Sequence, residues 1–225
     1  MKQLVTTAII LSRTDYGEAD RILTLLTPEY GKLRLMARGV RRVKSKLAGG
    51  IELFSVSTIT FARGRGELGT LASTRLISHY SQIVKDITRT MLGYELIKQL
   101  NRITEDAPEP EYFELLKQSF EALDDALIPV QLIRFWFTAQ LLRLGGHTPN
   151  LRLDDTGRSL VADQLYDFDF DRQTFVANPL SGRFGANHIK FLRLVFAGNT
   201  PKALASVQGM GTLLQDCLPL IQPAS

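Results

Sequence analysis

The sequence predicts an α+β protein of more than one domain, with a barrel of five short strands first and a bundle of helices after it. Three observations carry that prediction. Through residue 76, apolar residues alternate in short segments set off by Gly and Pro, the period of half-buried strands. From about Ser78 they recur at spacings of three and four, the period of amphipathic helices. Between the third and fourth strand segments lies a stretch from Lys32 to Lys46 with seven cations in fifteen residues and no carboxylate.

Residues 3–12 are rich in β-branched side chains and read as the first strand. Residues 14–20 form a polar turn, and Arg21 to Thr27 is the second strand, stopped by Pro28. Glu29-Tyr30-Gly31 is a tight turn into the third strand, Lys32 to Arg38. There Leu33, Leu35 and Ala37 fall on one side, Arg34, Met36 and Arg38 on the other. Residues 40–50 read as a short helix or loop ending at Gly49-Gly50. Leu53 to Ala62 is the fourth strand, residues 63–66 turn, and Glu67 to Leu76 is the fifth. Five strands with a helix or loop after the third is the order of an OB-fold barrel, which commonly binds single-stranded nucleic acid.

Beyond the barrel, residues 79–103 read as one long helix whose stripe is Ile83, Ile87, Met91, Tyr94 and Ile97. Residues 104–110 break it, and Pro110 is placed to open the next helix, striped by Phe113, Leu116, Phe120, Leu123 and Leu127. Val130 to Leu144 is apolar nearly all round, the character of a bundle's buried centre, and Gly145-Gly146 ends it. Residues 147–184 are polar and turn-rich; Leu165 to Asp171 alternates strictly, a strand with Phe168 and Phe170 turned inward. Helices return at 185–197, 200–206 and 209–220. The expected domains are therefore residues 1–78, a helical domain of 79–146 with 185–225, and a small insertion at 147–184.

Composition narrows the classes. Hydrophobic content of 44% and charged content of 22% are those of a globular chain. No stretch of eighteen apolar residues is long enough to span a membrane. The N-terminus lacks the apolar core and cleavage site of a signal peptide and reads as mature sequence. The single cysteine, Cys217, excludes an internal disulfide or a cysteine zinc cluster and fits a reducing cytoplasm. Charge is uneven: residues 1–80 hold 13 Lys/Arg against 6 Asp/Glu, whereas residues 81–225 hold 14 against 17. An anion meets the N-terminal third first.

No local motif carries catalysis. Gly64-Arg-Gly66-Glu-Leu-Gly69 matches the dinucleotide fingerprint, but Thr70-Leu-Ala-Ser-Thr74 beyond it looks like a strand, so a hairpin turn is the better reading. Asp167-Phe-Asp169-Phe-Asp171 opens like a calcium loop, yet Arg172 and Asn178 stand where the pattern needs glycine and glutamate. His79, His147 and His188 are far apart and lie near no ligand-spaced cluster. The expectation is a protein without enzyme activity, cofactor or metal.

What remains is the basic run, suited to a polyphosphate; the alternative is a solvated strand end blunted by charge. Arg34, Arg38, Arg41, Arg42, Lys44 and Lys46 are the expected nucleic-acid path, with Lys32, Arg63 and Arg65 flanking it. The barrel has only Tyr16, Tyr30, Phe54 and Phe61 for stacking, so binding should rest on phosphates and weaken with salt. Holding backbones while leaving base edges free suits strand annealing. Two other classes stay open: an RNA-binding OB-fold factor of translation or ribosome assembly, and a nucleotide-dependent enzyme using the glycine hairpin.

Tyr16-Gly17-Glu18, Asp20-Arg21-Ile22, Leu26 to Lys32, Ala37 to Arg42 and Lys44 to Leu47 together resemble the start of the bacterial RecO recombination-mediator proteins. The resemblance continues through Phe54, Arg65-Gly-Glu-Leu68 and Gly145-Gly146-His147-Thr-Pro149, and is strongest over residues 8–100. It implies an OB-fold, a helical domain and a small zinc-ribbon-like insertion. It also implies binding of single- and double-stranded DNA, strand annealing, and partnership with RecR to load RecA. A further implied partner is single-stranded-DNA-binding protein, through its acidic C-terminal tail. The location implied is the bacterial cytoplasm, at the nucleoid. The tail would sit in an apolar notch of the helical domain beside a cation, for which Arg134 and Arg143 are candidates. Many relatives carry two Cys-x-x-Cys pairs in the insertion; here those places fall near Leu153 and Thr156 and at 176–179, and none is cysteine. The insertion is expected to be a metal-free hairpin stabilised by Leu160, Tyr166, Phe168, Phe170 and Phe175.

Overall fold

The computed structural model of the protein describes residues 2–64 and 66–221. The chain forms two compact units, Met1–Ala126 and Leu127–Ser225.

The first unit holds strands β1 (Gln3–Tyr16), β2 (Asp20–Thr27), β3 (Gly31–Ala37), β4 (Ser55–Ala62) and β5 (Leu68–His79), then helices α1 (Ile87–Ile103) and α2 (Pro110–Asp124). The strands close a barrel in the order β1-β2-β3-β5-β4. β1 pairs antiparallel with both β2 and β4, and β3 meets β5 in parallel through Arg34–Met36 against Leu68–Thr70. Ile10, Leu23, Leu25, Leu35, Ile59 and Phe61 fill the interior, which is what the period-two alternation demands. The barrel and helices agree with the expected α+β class.

Two local expectations are corrected. β1 and β2 run on through the residues read as a polar turn, because Asp15 lies opposite Arg21 and the two pair at 2.7 Å. Both faces of that hairpin tip meet water, so no hydrophobic period announces it. Residues 40–50 form successive turns and one 3₁₀ turn, Ala48–Gly50, rather than an α-helix. Val40 and Ile51 from this segment are buried in the barrel core.

α1 is shorter and rotated relative to the expected stripe. Asp86 caps it, accepting the Arg89 N–H at 3.0 Å, and residues 83–85 form a 3₁₀ turn. Leu92, Leu96, Ile97 and Leu100 face inward, while Ile87, Met91 and Tyr94 are exposed at 73%, 66% and 50%. Two apolar rows with helical spacing run along this helix, and spacing alone does not choose between them.

The first unit extends past residue 78, where the sequence reading ends the barrel domain, because α1 and α2 pack on the barrel. Phe54 seats this contact. Its backbone is left-handed (φ 56), it is 1% exposed, and its ring meets Tyr94 and Phe120 edge-on at 5.2 and 5.5 Å. Gly93 admits it: a Cβ there would stand 2.5 Å from Phe54 Cε1. Arg89, buried, donates to the Leu123, Asp125 and Ala126 carbonyls at 3.0–3.1 Å, satisfying the end of α2.

The second unit is built on α3 (Val130–Leu144), which occupies the span read from the sequence. Trp136 donates to the Asn199 carbonyl (2.8 Å) and Gln140 to that of Val195 (2.7 Å), so its buried polar atoms are paired. A sheet of order β6-β8-β7 comes next, from Asn150–Asp154, Thr174–Ala177 and Tyr166–Asp169. Helices α4 (Ala186–Phe196), α5 (Pro201–Ala205) and α6 (Met210–Cys217) complete the unit. Tyr166, Phe168 and Phe175 are buried, and Leu160 is half-buried. Phe170 is not turned inward: it is 47% exposed, because Asp169 accepts the N–H groups of Asp171 and Arg172 and turns the chain there. His188 accepts the Gly185 N–H and meets Asp216 at 3.1 Å, a structural role at the start of α4. Burial, then the Asp216 charge, pushes the Cys217 thiol up to about 12 and leaves it inert.

Replacing Phe54 by alanine should cost about 3–5 kcal/mol, the range for emptying a buried aromatic site. Equilibrium urea unfolding followed by far-ultraviolet circular dichroism measures it; an unmoved midpoint would mean that α1 and α2 are held by other contacts.

Candidate nucleic-acid interface

The alternation of β3 holds in the fold: Leu35 and Ala37 are buried, while Arg34 and Arg38 are exposed. The chain then leaves the sheet at Gly39, whose positive φ (64) allows the reversal and whose N–H is held by Asp20 at 2.7 Å. Arg41 N–H bonds the Ala19 carbonyl, Arg42 N–H that of Gly39 and Ser45 N–H that of Arg42. These turns present Arg38, Arg42, Lys44 and Lys46 to solvent, and among the described residues none forms an ion pair. Four unneutralised cations thus sit within nine residues of one loop.

The other expected site residues are placed differently. Arg34 stands 3.8 Å from Glu67, both well exposed, an ion pair worth little in water. Arg41 is partly engaged: its Nε lies 3.5 Å from Asp15 and its Nη1 donates to the Gly17 carbonyl at 3.2 Å. The hydrogen bond from Arg21, aided by the charges of Arg41 and Arg13, holds the Asp15 carboxyl below its ordinary value. Lys32 turns away from the run; its Nζ donates to the carbonyls of Asn101 (3.1 Å) and Thr104 (2.6 Å) at the end of α1. That corrects its assignment as a flanking contact, since a helix C-terminus with orphan carbonyls is a better partner than water. Arg63 is exposed, its guanidinium carbon 5.4 Å from the Tyr30 ring centre. Arg65 lies outside the described residues.

The family models for the N-terminal and C-terminal parts of recombination protein O match residues 1–80 and 84–183. The DNA repair protein RecO of Listeria welshimeri is 34% identical over 197 residues, covering 84% of this chain and 75% of its own. The chain belongs to the RecO family. Proteins of the same name from Dehalococcoides mccartyi and Halalkalibacterium halodurans are each 34% identical, over 148 and 144 residues. Those matches span 58% and 56% of the relatives' length, less than two thirds.

In this RecO-family chain the second unit has one feature that sequence reasoning missed. Arg134 and Arg143 are exposed on α3, and Arg143 is tied to Gln140 at 2.8 Å, but neither lines a pocket described in this unit. Arg152 and Arg193 instead border a cavity of about 490 Å³ walled by Pro149, Leu151 and Phe196. Arg193 is fixed by its bond to the Leu151 carbonyl at 2.8 Å. The two arginines are 41 residues apart in sequence, so only the fold joins them.

The residues at the zinc-ribbon positions do not fit a metal. Leu153 and residues 176–179 supply no thiol, and Asp154 spends its carboxylate on Thr156 and the Arg158 N–H. Among the described residues no group of three His, Cys, Asp or Glu side chains could hold an ion. Nor is any described helix long and apolar enough to cross a membrane.

The Asp15 cluster gives a pH prediction. Because the folded value is lowered, the ionised carboxylate favours the fold above the ordinary range, and that contribution fades as pH falls through the lowered value. Carboxyl carbon-13 titration should put the Asp15 midpoint below 3.8, and Arg21→Gln should raise it. An unchanged midpoint in the variant would remove Arg21 as the cause.

Proposed function

We propose that this chain is a DNA-binding recombination mediator that works by holding sugar-phosphate backbones, without chemistry of its own. The observation that carries the reading is the turn after β3, where Arg38, Arg42, Lys44 and Lys46 face water without a carboxylate partner in a chain of the RecO family. Such a turn is matched to a polyanion: each cation that neutralises a phosphate releases a condensed counterion. Arg34 extends the path along the OB-type barrel, and Arg63 lies near it. Arg41 contributes less, because Asp15 already shares its charge.

The path contacts backbones and offers few exposed rings, so the protein binds single and double strands with little regard to sequence. Strands held this way keep their base edges free and can anneal. In this reading the chain acts at the nucleoid with RecR to place RecA on DNA covered by single-stranded-DNA-binding protein. The acidic tail of that coating protein fits the cavity between Arg152 and Arg193, where cations flank an apolar floor. The three-stranded sheet takes the place of a zinc ribbon, with the aromatic contacts of Phe175 to Tyr166, Phe168 and Phe184 in place of a metal.

Alanine at Arg38, Arg42 and Lys44 together should flatten the dependence of log affinity on log salt by about 2, at about 0.7 per phosphate on a single strand. Fluorescence anisotropy of a labelled oligonucleotide measures the slope, and a matched RNA strand tests the translation-factor alternative. A slope equal to the wild type would move the path elsewhere.

Annealing separates the two surfaces. With complementary oligonucleotides coated by their binding protein, Arg152→Ala with Arg193→Ala should slow annealing while leaving naked strands unaffected. Equal rates on coated strands would reject the cavity as the seat of the tail.

A further inference from the structure

We propose that the mouth of the barrel beside β3 seats one unstacked nucleotide of a bound single strand, base inward and phosphate at the rim; this rests on the backbone-binding reading. The fold makes the opening. Lys32 N–H bonds the Glu105 carbonyl at 2.9 Å instead of β5, so β3 and β5 join only from Arg34 onward. Below that point the hairpin between β4 and β5 stands off from β3, leaving a cavity of about 340 Å³. Gly69 keeps it open to the interior, for a Cβ there would lie 2.8 Å from Leu35 Cδ2 and from the Ala62 carbonyl oxygen.

The lining matches a nucleotide part by part. Leu33, Leu35 and Phe61 form an apolar floor that reaches the barrel core. Tyr30, set edge-on to Phe61 at 5.4 Å, is a ring wall, and Arg63 lies over it. A base entering here gains an aromatic or guanidinium plane to stack on. Arg34 and Arg63 meet the phosphate. Glu67 and Asp106, also on the lining, accept hydrogen bonds from an exocyclic amine, as carboxylates do from cytosine. The site therefore favours bases with an amino group over thymine. Its volume is at the small end of ligand pockets, room for a single nucleotide, and barrel mouths are a common place for such sites. Lys32 adds nothing at the rim, since its amine is spent on α1.

An oligonucleotide carrying a single 2-aminopurine tests this. Its fluorescence should change on binding the wild type and stay unchanged with Tyr30→Leu. The affinity of that variant should fall about fivefold to a hundredfold, the worth of one stacked base, at an unaltered salt slope. Arg63→Gln, on an exposed side chain, should also silence the signal and guards against a misfolded first variant. Deoxyadenosine monophosphate should shift the resonances of Leu33 and Leu35, and thymidine monophosphate should shift them less. A silent 2-aminopurine in a complex with a normal salt slope would overturn the pocket and leave the phosphate path standing. Monophosphate binding that needs Tyr30, in a chain whose strand affinity ignores salt, would support the pocket and defeat the path.

Discussion

Lys32 makes three hydrogen bonds to the end of α1, and the working geometry of the barrel depends on them. Its N–H reaches the Glu105 carbonyl, and its amine reaches those of Asn101 and Thr104. The last carbonyls of a helix have no partners of their own and carry the negative end of its dipole, so a lysine there satisfies both needs. The bond to Glu105 also takes the edge of β3 that would otherwise pair with β5. Gly31 belongs to the same contact, since any Cβ there would collide with the Ala107 carbonyl. One residue thus anchors the helix, shortens the parallel pairing and opens the barrel at its base.

The other half of the anchor is Phe54. A buried phenylalanine with a left-handed backbone is costly, and it persists only where its surroundings over-determine it. Tyr94, Phe120 and the bare backbone at Gly93 do so here. With Lys32 at one end of α1 and Phe54 nearer the other, the helix is fixed along its length. Arg89 then ties α1 to the end of α2, so the compact unit closes at Ala126 rather than at the last strand.

Period and composition made the strands and α3 legible, because each of those elements has one buried face or none exposed. The hairpin reading of Gly64 to Gly69 holds for the same reason: the residues after it alternate, and β5 begins at Leu68. What period could not show was the tip of β1 and β2, stabilised by cross-strand charge, or which of two apolar rows on α1 turns inward. The inward row is decided by where Phe54 and the barrel wall stand, which is tertiary information. The basic run was visible as a run, but the fate of each cation was not. Arg41 is claimed by an acid 26 residues earlier and Lys32 by carbonyls some 70 residues later. Arg152 and Arg193 were invisible as a pair for the same reason.

The cations divide by what the fold brings to them. Lys32 meets a helix end, Arg41 an aspartate and Arg34 a distant glutamate; the loop from Arg38 to Lys46 meets water. Like charges so close together repel, which works against the compact state, and nothing in the described fold relieves it. A chain of phosphates relieves it at once and gains entropy as counterions leave. The same reasoning explains the division of labour along β3. Its upper turn offers charge alone and so grips any backbone, whereas its base combines charge with an apolar cavity and so can distinguish a base from bare phosphate. Binding strength and base discrimination are thereby assigned to opposite ends of one strand, and each can be altered without the other.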